Sequence, residues 1–109
     1  MKTSELTGAA LDWAVAKCEG GVGDNQLIGA WYTPSTDWAQ GGPIIEREGI
    51  GLLRVGDRLP HQQWDAGETD ELPDTLWAVV SGPTPLIAAM RCYVASKLGD
   101  NIDIPEELI

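Results

Sequence analysis

Residues 84–99, TPLIAAMRCYVASKLG, carry the clearest structural signal in the sequence. Thr84 is a favoured helix-capping residue, and Pro85 suits the first helical position because its missing N–H has no helical partner there. Gly99 is a typical C-terminal stop. Between them, apolar side chains recur at helical spacing: Leu86, Ile87, Met90, Val94 and Leu98. The stretch therefore predicts a helix with one face packed against the rest of the domain.

Outward from this helix, the pattern predicts one more helix and several short strands. Residues 7–18 predict a helix, since Thr7 can cap it and apolar residues recur at spacings of three and four. Strands are predicted where β-favouring or mostly apolar runs are bounded by turn formers, at residues 27–33, 44–48, 50–55 and 76–80. The middle two are separated, or bent, at Gly49. The polar residues 56–74 are predicted as turns.

Together these elements predict an α+β fold, with two helices packed on a small, mostly antiparallel sheet. A length of 109 residues suits one hydrophobic core, so we expect a single domain over residues 1–109. No apolar run approaches the ~20 residues of a membrane helix, and the N-terminus lacks a secretory pattern. We therefore expect a cytoplasmic protein.

Charge excludes several classes of partner. The chain has 17 acidic and 7 basic residues, for a net charge of −10. Duplex DNA and anionic membranes are disfavoured, because binding them depends on Lys and Arg that neutralise phosphates. We expect no direct nucleic-acid binding and no membrane partner. The acids concentrate in residues 65–74 and 100–107, where they form either solvated surface or a surface for a basic host protein.

Motifs for catalysis and metal binding are missing from the sequence. Two GxG segments fail to complete a Rossmann fingerprint, and no helix directly follows either one. His61 is the only histidine, and the two cysteines lack zinc-type spacing. Glu46-Arg47-Glu48 would place two carboxylates on one strand face, which a charged strand edge explains. We expect no enzyme activity, no catalytic residue, no metal and no cofactor.

A binding surface around residues 35–43 is the feature that remains. This segment is predicted as a loop or a single helical turn closed by Gly41-Gly42-Pro43. Flat aromatic faces, short polar side chains, open backbone amides and a few arginines suit a nucleobase, a ribose and a phosphate. A tight turn with Trp38 packed beneath it explains the same residues equally well. Both alternatives stay open at this point.

Each candidate ligand-binding residue supplies an aromatic face, a polar side chain, a backbone amide or a guanidinium, or lies at the helix start near residue 84. They are Tyr32, Ser35, Thr36, Asp37, Trp38, Gln40, Gly41, Gly42, Arg47, Thr84 and Arg91. Trp38 and Tyr32 are expected to stack on a base. Asp37 and Ser35 are expected to hold ribose hydroxyls, and Arg47 and Arg91 to meet phosphates. The helix start at Thr84 is a second possible anion site.

Three segments resemble the NinX family of small bacteriophage and prophage proteins. They are ELTGAALDWAVA at residues 5–16, PSTDWAQGGPIIERE at 34–48 and GPTPLIAAMRCYV at 82–94. The resemblance extends over most of the chain. The family has no assigned function, so the resemblance implies a phage origin and a host cytosolic location, and it supplies no catalytic residues.

A phage origin favours two classes of function by analogy. Small phage accessory proteins often sequester a nucleotide immune signal or bind a host protein. We expect a homo-oligomer that binds a small nucleotide-derived ligand without turnover, in the manner of an anti-defence sponge. The alternative is a protein-interaction module, or a DNA mimic, that inhibits a host protein through the acidic clusters. A nucleotide hydrolase ranks third.

Overall fold

Three α-helices and three strands make up the regular structure of a computed structural model that describes residues 1–20, 31–55, 59, 62–69 and 76–108. In chain order they are α1 (Gly8–Cys18), α2 (Trp38–Glu48), β1 (Ile50–Arg54), β2 (Trp64–Thr69), β3 (Leu76–Gly82) and α3 (Pro85–Leu98). Short 3-10 turns lie at Thr3–Glu5 and Glu106–Leu108. The predicted α+β class is confirmed, and the structure contains one helix more than the sequence predicts.

The sheet has the order β1-β2-β3 and is antiparallel at both pairings. In the central strand, Ala66 pairs with Leu52 of β1 and with Val80 of β3. These three side chains form one row across the sheet and pack against the core. The register between β2 and β3 shifts between Ala66 and Glu68, which indicates a bulge.

α3 contacts all three strands and both other helices, so the core is built around it. Its ends match the sequence prediction: the Ile87 N–H donates to Thr84 Oγ1 at 3.1 Å, and Gly99 is the C-terminal cap. The end of β3 lies against its first turns. A Cβ on Gly82 would lie 2.8 Å from the Ala88 backbone nitrogen, so a larger residue would force the strand and the helix apart.

α1 is buried over residues 10–16, and the Trp13 side chain has no exposed surface. The helix begins after Thr7 as predicted, although the Thr7 side chain makes no capping hydrogen bond. Asp12 is the one charged residue in this buried stretch. A buried carboxylate requires a hydrogen-bond donor, and the backbone N–H of Ser35 is the donor to Asp12.

α2 is the largest departure from the sequence prediction. The predicted loop at residues 35–43 and strand at 44–48 fall largely within one helix, whose start is capped by Asp37 through a 3.0 Å hydrogen bond from Ala39 N–H. Gly49, at φ 66°, ends it in the left-handed conformation that glycine tolerates. Pro43 lies inside the helix and removes one helical hydrogen bond. Burial of Ile44 in the core stabilises the helix nonetheless.

The other strand and turn predictions are compared with the observed strands in turn: some are confirmed, one is wrong, and one lies mostly outside the described residues. The strands predicted at 50–55 and 76–80 are confirmed as β1 and β3, with β3 continuing to Gly82. The turns predicted over 56–74 are wrong at β2, a polar segment that pairs on both edges. Residues 31–33 are not a strand, and the remainder of the strand predicted at 27–33 lies outside the described residues.

Gly41 provides a test of α2 and its packing. A Cβ at Gly41 would overlap the Pro34 carbonyl oxygen and lie 2.5 Å from Leu86 Cδ1, whereas a Cβ at Gly42 would lie 4.0 Å from its nearest neighbour, in Trp38. We expect Gly41→Ala to lower the free energy of unfolding by about 1–3 kcal/mol. Gly42→Ala should leave it unchanged or raise it by up to about 1 kcal/mol, since alanine favours a helix interior.

Urea denaturation followed by tryptophan fluorescence measures both variants. Equal losses in the two variants would contradict the helix and its contact with Leu86.

Candidate functional site

A small pocket lies between the start of α2 and the start of α3. It has a volume of about 200 Å³ and a lining of Ser35, Thr36, Trp38, Thr84, Pro85, Leu86 and Ile87. Four of the predicted site residues, Ser35, Thr36, Trp38 and Thr84, therefore meet here. Trp38 is the first residue of α2 and keeps 52% of its surface exposed. We call this site the Trp38 pocket.

Ser35 is held in place by the buried carboxylate of α1. Its backbone N–H donates to Asp12 Oδ1 at 2.9 Å, and both residues are buried. Burial raises the pKa of the Asp12 carboxyl, while the hydrogen bond from the Ser35 N–H favours its charged form. The Ser35 hydroxyl does not reach hydrogen-bond geometry with any described residue. Asp12 was not among the predicted site residues, although an acid in the apolar run Leu11–Trp13 is a signal that could have identified it.

Asp37 and Gln40 are engaged in the capping of α2 and lie outside the pocket lining. Besides accepting from Ala39 N–H, the Asp37 carboxylate accepts from Gln40 Nε2 at 3.1 Å. Gln40 also donates to the Trp31 carbonyl at 2.9 Å and accepts the Thr33 N–H at 2.8 Å. The two side chains thereby tie residues 31–33 to the helix start.

The sequence predicts that Gly41 and Gly42 present open backbone amides, and this prediction is wrong. Gly41 N–H donates to the Asp37 carbonyl at 2.9 Å, and Gly41 is buried against Pro34 and Leu86. Gly42 is half-buried within the same helix. Neither lines the Trp38 pocket. Gly41 permits a close approach of α2 to Pro34 and to Leu86 of α3, which a residue with a side chain would prevent.

Arg47 lies in the last turn of α2, outside the Trp38 pocket, within a cluster of charges. Its guanidinium donates to both carboxylate oxygens of Glu19, at 3.1 and 2.8 Å, and to Glu48 at 2.9 Å. Tyr93 donates its hydroxyl to Glu19 at 2.5 Å, and Lys97 pairs with Glu48 at 3.2 Å. The cluster joins residues of α2 and α3 to Glu19, the residue that follows α1. Arg47 is therefore already paired with carboxylates.

Protonation in this cluster follows its hydrogen bonds. Hydrogen bonding from Arg47 lowers the pKa of Glu19 and of Glu48. Burial, followed by the bond to Glu19, raises the pKa of the Tyr93 hydroxyl. The bonds to Glu19 and Glu48 raise the pKa of Arg47 further. Glu19, Glu48 and Arg47 are therefore charged at neutral pH, and the Tyr93 hydroxyl is neutral.

Arg91 lies in α3 and does not line the Trp38 pocket. Its Nε donates to the Leu6 carbonyl at 2.7 Å, and Nη1 donates to the Ser81 carbonyl at 2.9 Å. It forms part of a groove of about 830 Å³ lined by Ser4, Glu5, Thr7, Gln62, Val80, Ser81, Pro83, Arg91 and Asp100. We call this the Arg91 groove. The two arginines predicted to meet phosphates thus lie outside the Trp38 pocket.

The remaining predicted aromatic residue, Tyr32, is half-buried beside Trp31. The two rings meet edge to face with centroids 5.8 Å apart, and burial raises the pKa of the Tyr32 hydroxyl. Trp31 is 77% exposed, and neither ring lines the Trp38 pocket. Trp64, at the start of β2, packs against the core.

The described residues include several groups that could in principle bind a metal or act as a nucleophile. No cluster of His, Cys, Asp or Glu that could hold a metal occurs among those residues. Burial raises the pKa of Cys18 to about 11, so its thiol is protonated at neutral pH. His61 and the acids at 70–74 lie outside the described residues, and Asp65 is buried and accepts from Ser81 Oγ at 2.8 Å. No described helix is long and apolar enough to cross a membrane.

Comparison with known proteins identifies one family. The family model described as Bacteriophage P22, NinX matches residues 2–97, a span that includes the Trp38 pocket, Arg47 and Arg91. No curated protein matches the chain.

The charge cluster has a defined pH signature. Because the pKa of Glu19 is lowered from 4.5, its ionised form stabilises the fold above that pH, and this contribution is lost as pH falls through the lowered pKa. We expect Glu19→Gln to reduce the free energy of unfolding at pH 7 by about 0.5–1 kcal/mol, a modest value because Arg47 is half-exposed.

Glu46→Gln on the exposed side of α2 is the matched control and should have little effect. Denaturation curves at pH 7 and pH 3 distinguish the two. A Glu19→Gln deficit that is as large at pH 3 as at pH 7 would refute the ionic role.

Proposed function

Because the chain belongs to the bacteriophage NinX family, we propose that it is a phage accessory protein that binds a nucleotide-derived ligand without turnover. The ligand's flat base occupies the Trp38 pocket. Its biological effect is to sequester a small host immune signalling molecule in the host cytosol.

The half-exposed ring of Trp38 beside Ser35, Thr36 and Thr84 is the observation that carries this proposal. An indole face is a favourable stacking platform for any nucleobase, and such stacking contributes about 1–3 kcal/mol per base. The hydroxyls supply donors and acceptors at the edge of the stacked ring.

The size of the pocket limits what it can hold. Small-molecule sites usually measure roughly 300–1,000 Å³, whereas this pocket measures about 200 Å³. One base-sized ring system fits this volume, and a whole dinucleotide does not. The proposal therefore places the base in the pocket and the rest of the ligand outside it.

Phosphate groups have few partners at the pocket itself. Pro85 has no N–H, and the Ile87 N–H is already bound by Thr84, so the start of α3 offers fewer donors than a typical anion site. The Asp37 carboxylate already occupies the start of α2. A homo-oligomer is part of the proposal, because a neighbouring copy can supply the cations that this pocket lacks.

Binding without turnover agrees with the residues of the pocket. The described lining contains hydroxyl groups but no imidazole, amine or thiol that would activate a nucleophile. The Asp12 carboxylate accepts the Ser35 N–H from within the core.

A protein-interaction module is the second candidate, favoured by a different observation. Trp31, Leu53 and Leu59 are large apolar residues that are more than half exposed. Exposed apolar residues on a chain of net charge −10 suit a host protein with a basic rim around an apolar contact. None of these three residues lines the Trp38 pocket.

Trp38 and Trp31 form a matched pair of variants. We expect a nucleoside, nucleotide or cyclic dinucleotide to raise the melting temperature of the native protein, since a ligand at 100 times its Kd stabilises by about 2.7 kcal/mol. Trp38→Ala should abolish the shift, while Trp31→Ala, which alters an exposed ring outside the pocket, should retain it.

Thermal shift measurements across a panel of these ligands provide the readout, with chromatography to detect any product. The absence of a shift with every ligand would overturn the proposal. A pull-down of a host protein that requires Trp31 and not Trp38 would favour the second candidate.

A further inference from the structure

The Arg91 groove is larger than the Trp38 pocket, and the proposed function does not use it. Arg91 is half-buried, and its guanidinium is fixed by two backbone carbonyls, those of Leu6 and Ser81. These contacts join the segment before α1 to the end of β3. The orientation of the guanidinium is therefore set by the fold and not by a mobile side chain.

The charge of Arg91 lacks a counter-ion within the described residues. No described carboxylate lies within ion-pair distance of it, and carbonyl groups neutralise a cation only in part. Burial lowers the pKa of Arg91, and the nearby charge of Glu5 opposes this change. A half-buried cation in a groove favours an incoming anion, and a guanidinium binds a carboxylate with directed hydrogen bonds.

The rim of the groove carries the opposite charge. Glu5 and Asp100 are exposed lining residues, and neither forms an ion pair with a described residue. Two carboxylates near one guanidinium disfavour a multiply charged anion such as a nucleotide polyphosphate. They favour a ligand with one anionic group for Arg91 and a cationic group for the rim. Ser4, Thr7 and Gln62 add polar groups between them.

We propose that the Arg91 groove binds a free carboxylate that is followed by a positively charged group, the chemistry of a basic amino acid or of a protein's carboxyl end with a terminal lysine or arginine. Arg91 binds the carboxylate, and Glu5 and Asp100 attract the cation. The size of the groove accommodates several residues, which favours the carboxyl end of a peptide over a single amino acid.

Peptide probes test this site in the native protein by NMR titration. The probe is the N-acetylated tripeptide Gly-Gly-Lys with a free carboxyl end. It is compared with its C-terminal amide, with the acetylated tripeptide Gly-Gly-Ala and with free lysine. We expect the free carboxyl form to bind saturably and the amide to bind at least about tenfold more weakly, because a charge-assisted hydrogen bond is lost. Free lysine binding as tightly as the tripeptide would identify the amino acid as the source of the same chemistry.

Two variants separate binding from folding. Arg91→Gln should reduce the affinity for the tripeptide with a free carboxyl end to the affinity for its amide. This variant also alters the contacts with Leu6 and Ser81. The double variant Glu5→Gln and Asp100→Asn changes only exposed side chains. It should weaken the lysine-ended peptide several-fold relative to the alanine-ended peptide, because only the lysine side chain is attracted by the rim carboxylates.

Trp38→Ala should not affect any of these titrations, so this site and the Trp38 pocket succeed or fail independently. Equal binding of the carboxyl and amide forms, or no binding of any probe, would overturn the proposal.

Discussion

The first turns of α3 pack so closely against β3 and α2 that the contact position in each of these two elements must be glycine. Gly82 brings the end of β3 against the Ala88 backbone, and Gly41 brings α2 against Pro34 and Leu86. Close-packed interiors transmit such constraints, because a single added carbon displaces backbone and not merely a flexible side chain. The position of α2 relative to the sheet follows from these two contacts.

This packing also determines where the candidate sites lie. Trp38 is the first residue of α2 and Thr84 caps α3, so the approach of α2 to α3 forms the Trp38 pocket between them. The Arg91 groove is lined by the end of β3 and by Arg91 of α3, and it shares no lining residue with the Trp38 pocket. The two sites differ in chemistry: one is an aromatic face with hydroxyls, and the other is a fixed guanidinium with carboxylates at its rim.

Elements with strong local signals were predictable from the sequence. α3 has a cap, a proline at its first position, periodic apolar residues and a terminal glycine, and both of its ends are confirmed. α2 was not predictable, because two glycines and a proline disfavour a helix by several kcal/mol on intrinsic propensity. Its burial against α3 outweighs that preference. β2 is polar and contains Gly67, and its pairing with strands on both edges, rather than its composition, makes it a strand.

The candidate site shows the same division. Ser35, Thr36 and Trp38 are neighbours in sequence, so their convergence was predictable, and the helix-cap signal identified Thr84. The locations of Arg47 and Arg91 were not, because their partners are distant in the chain: Glu19 for Arg47, and the Leu6 carbonyl for Arg91. Asp12, which fixes Ser35, lies 23 residues away from it. A sequence identifies which groups are present, whereas long-range contacts decide which of them remain available to a ligand.

The proposed function depends on a flat ligand that stacks on Trp38, the first residue of α2, beside the start of α3. Nuclear Overhauser contacts between adenosine and the isotopically labelled protein test it most directly, since they report which side chains touch the base. We expect contacts from the base protons to the Trp38 ring and to the Thr84 methyl group, and no contact to the Trp31 ring. Contacts to Trp31 alone, or no contact to either ring at saturating adenosine, would contradict it.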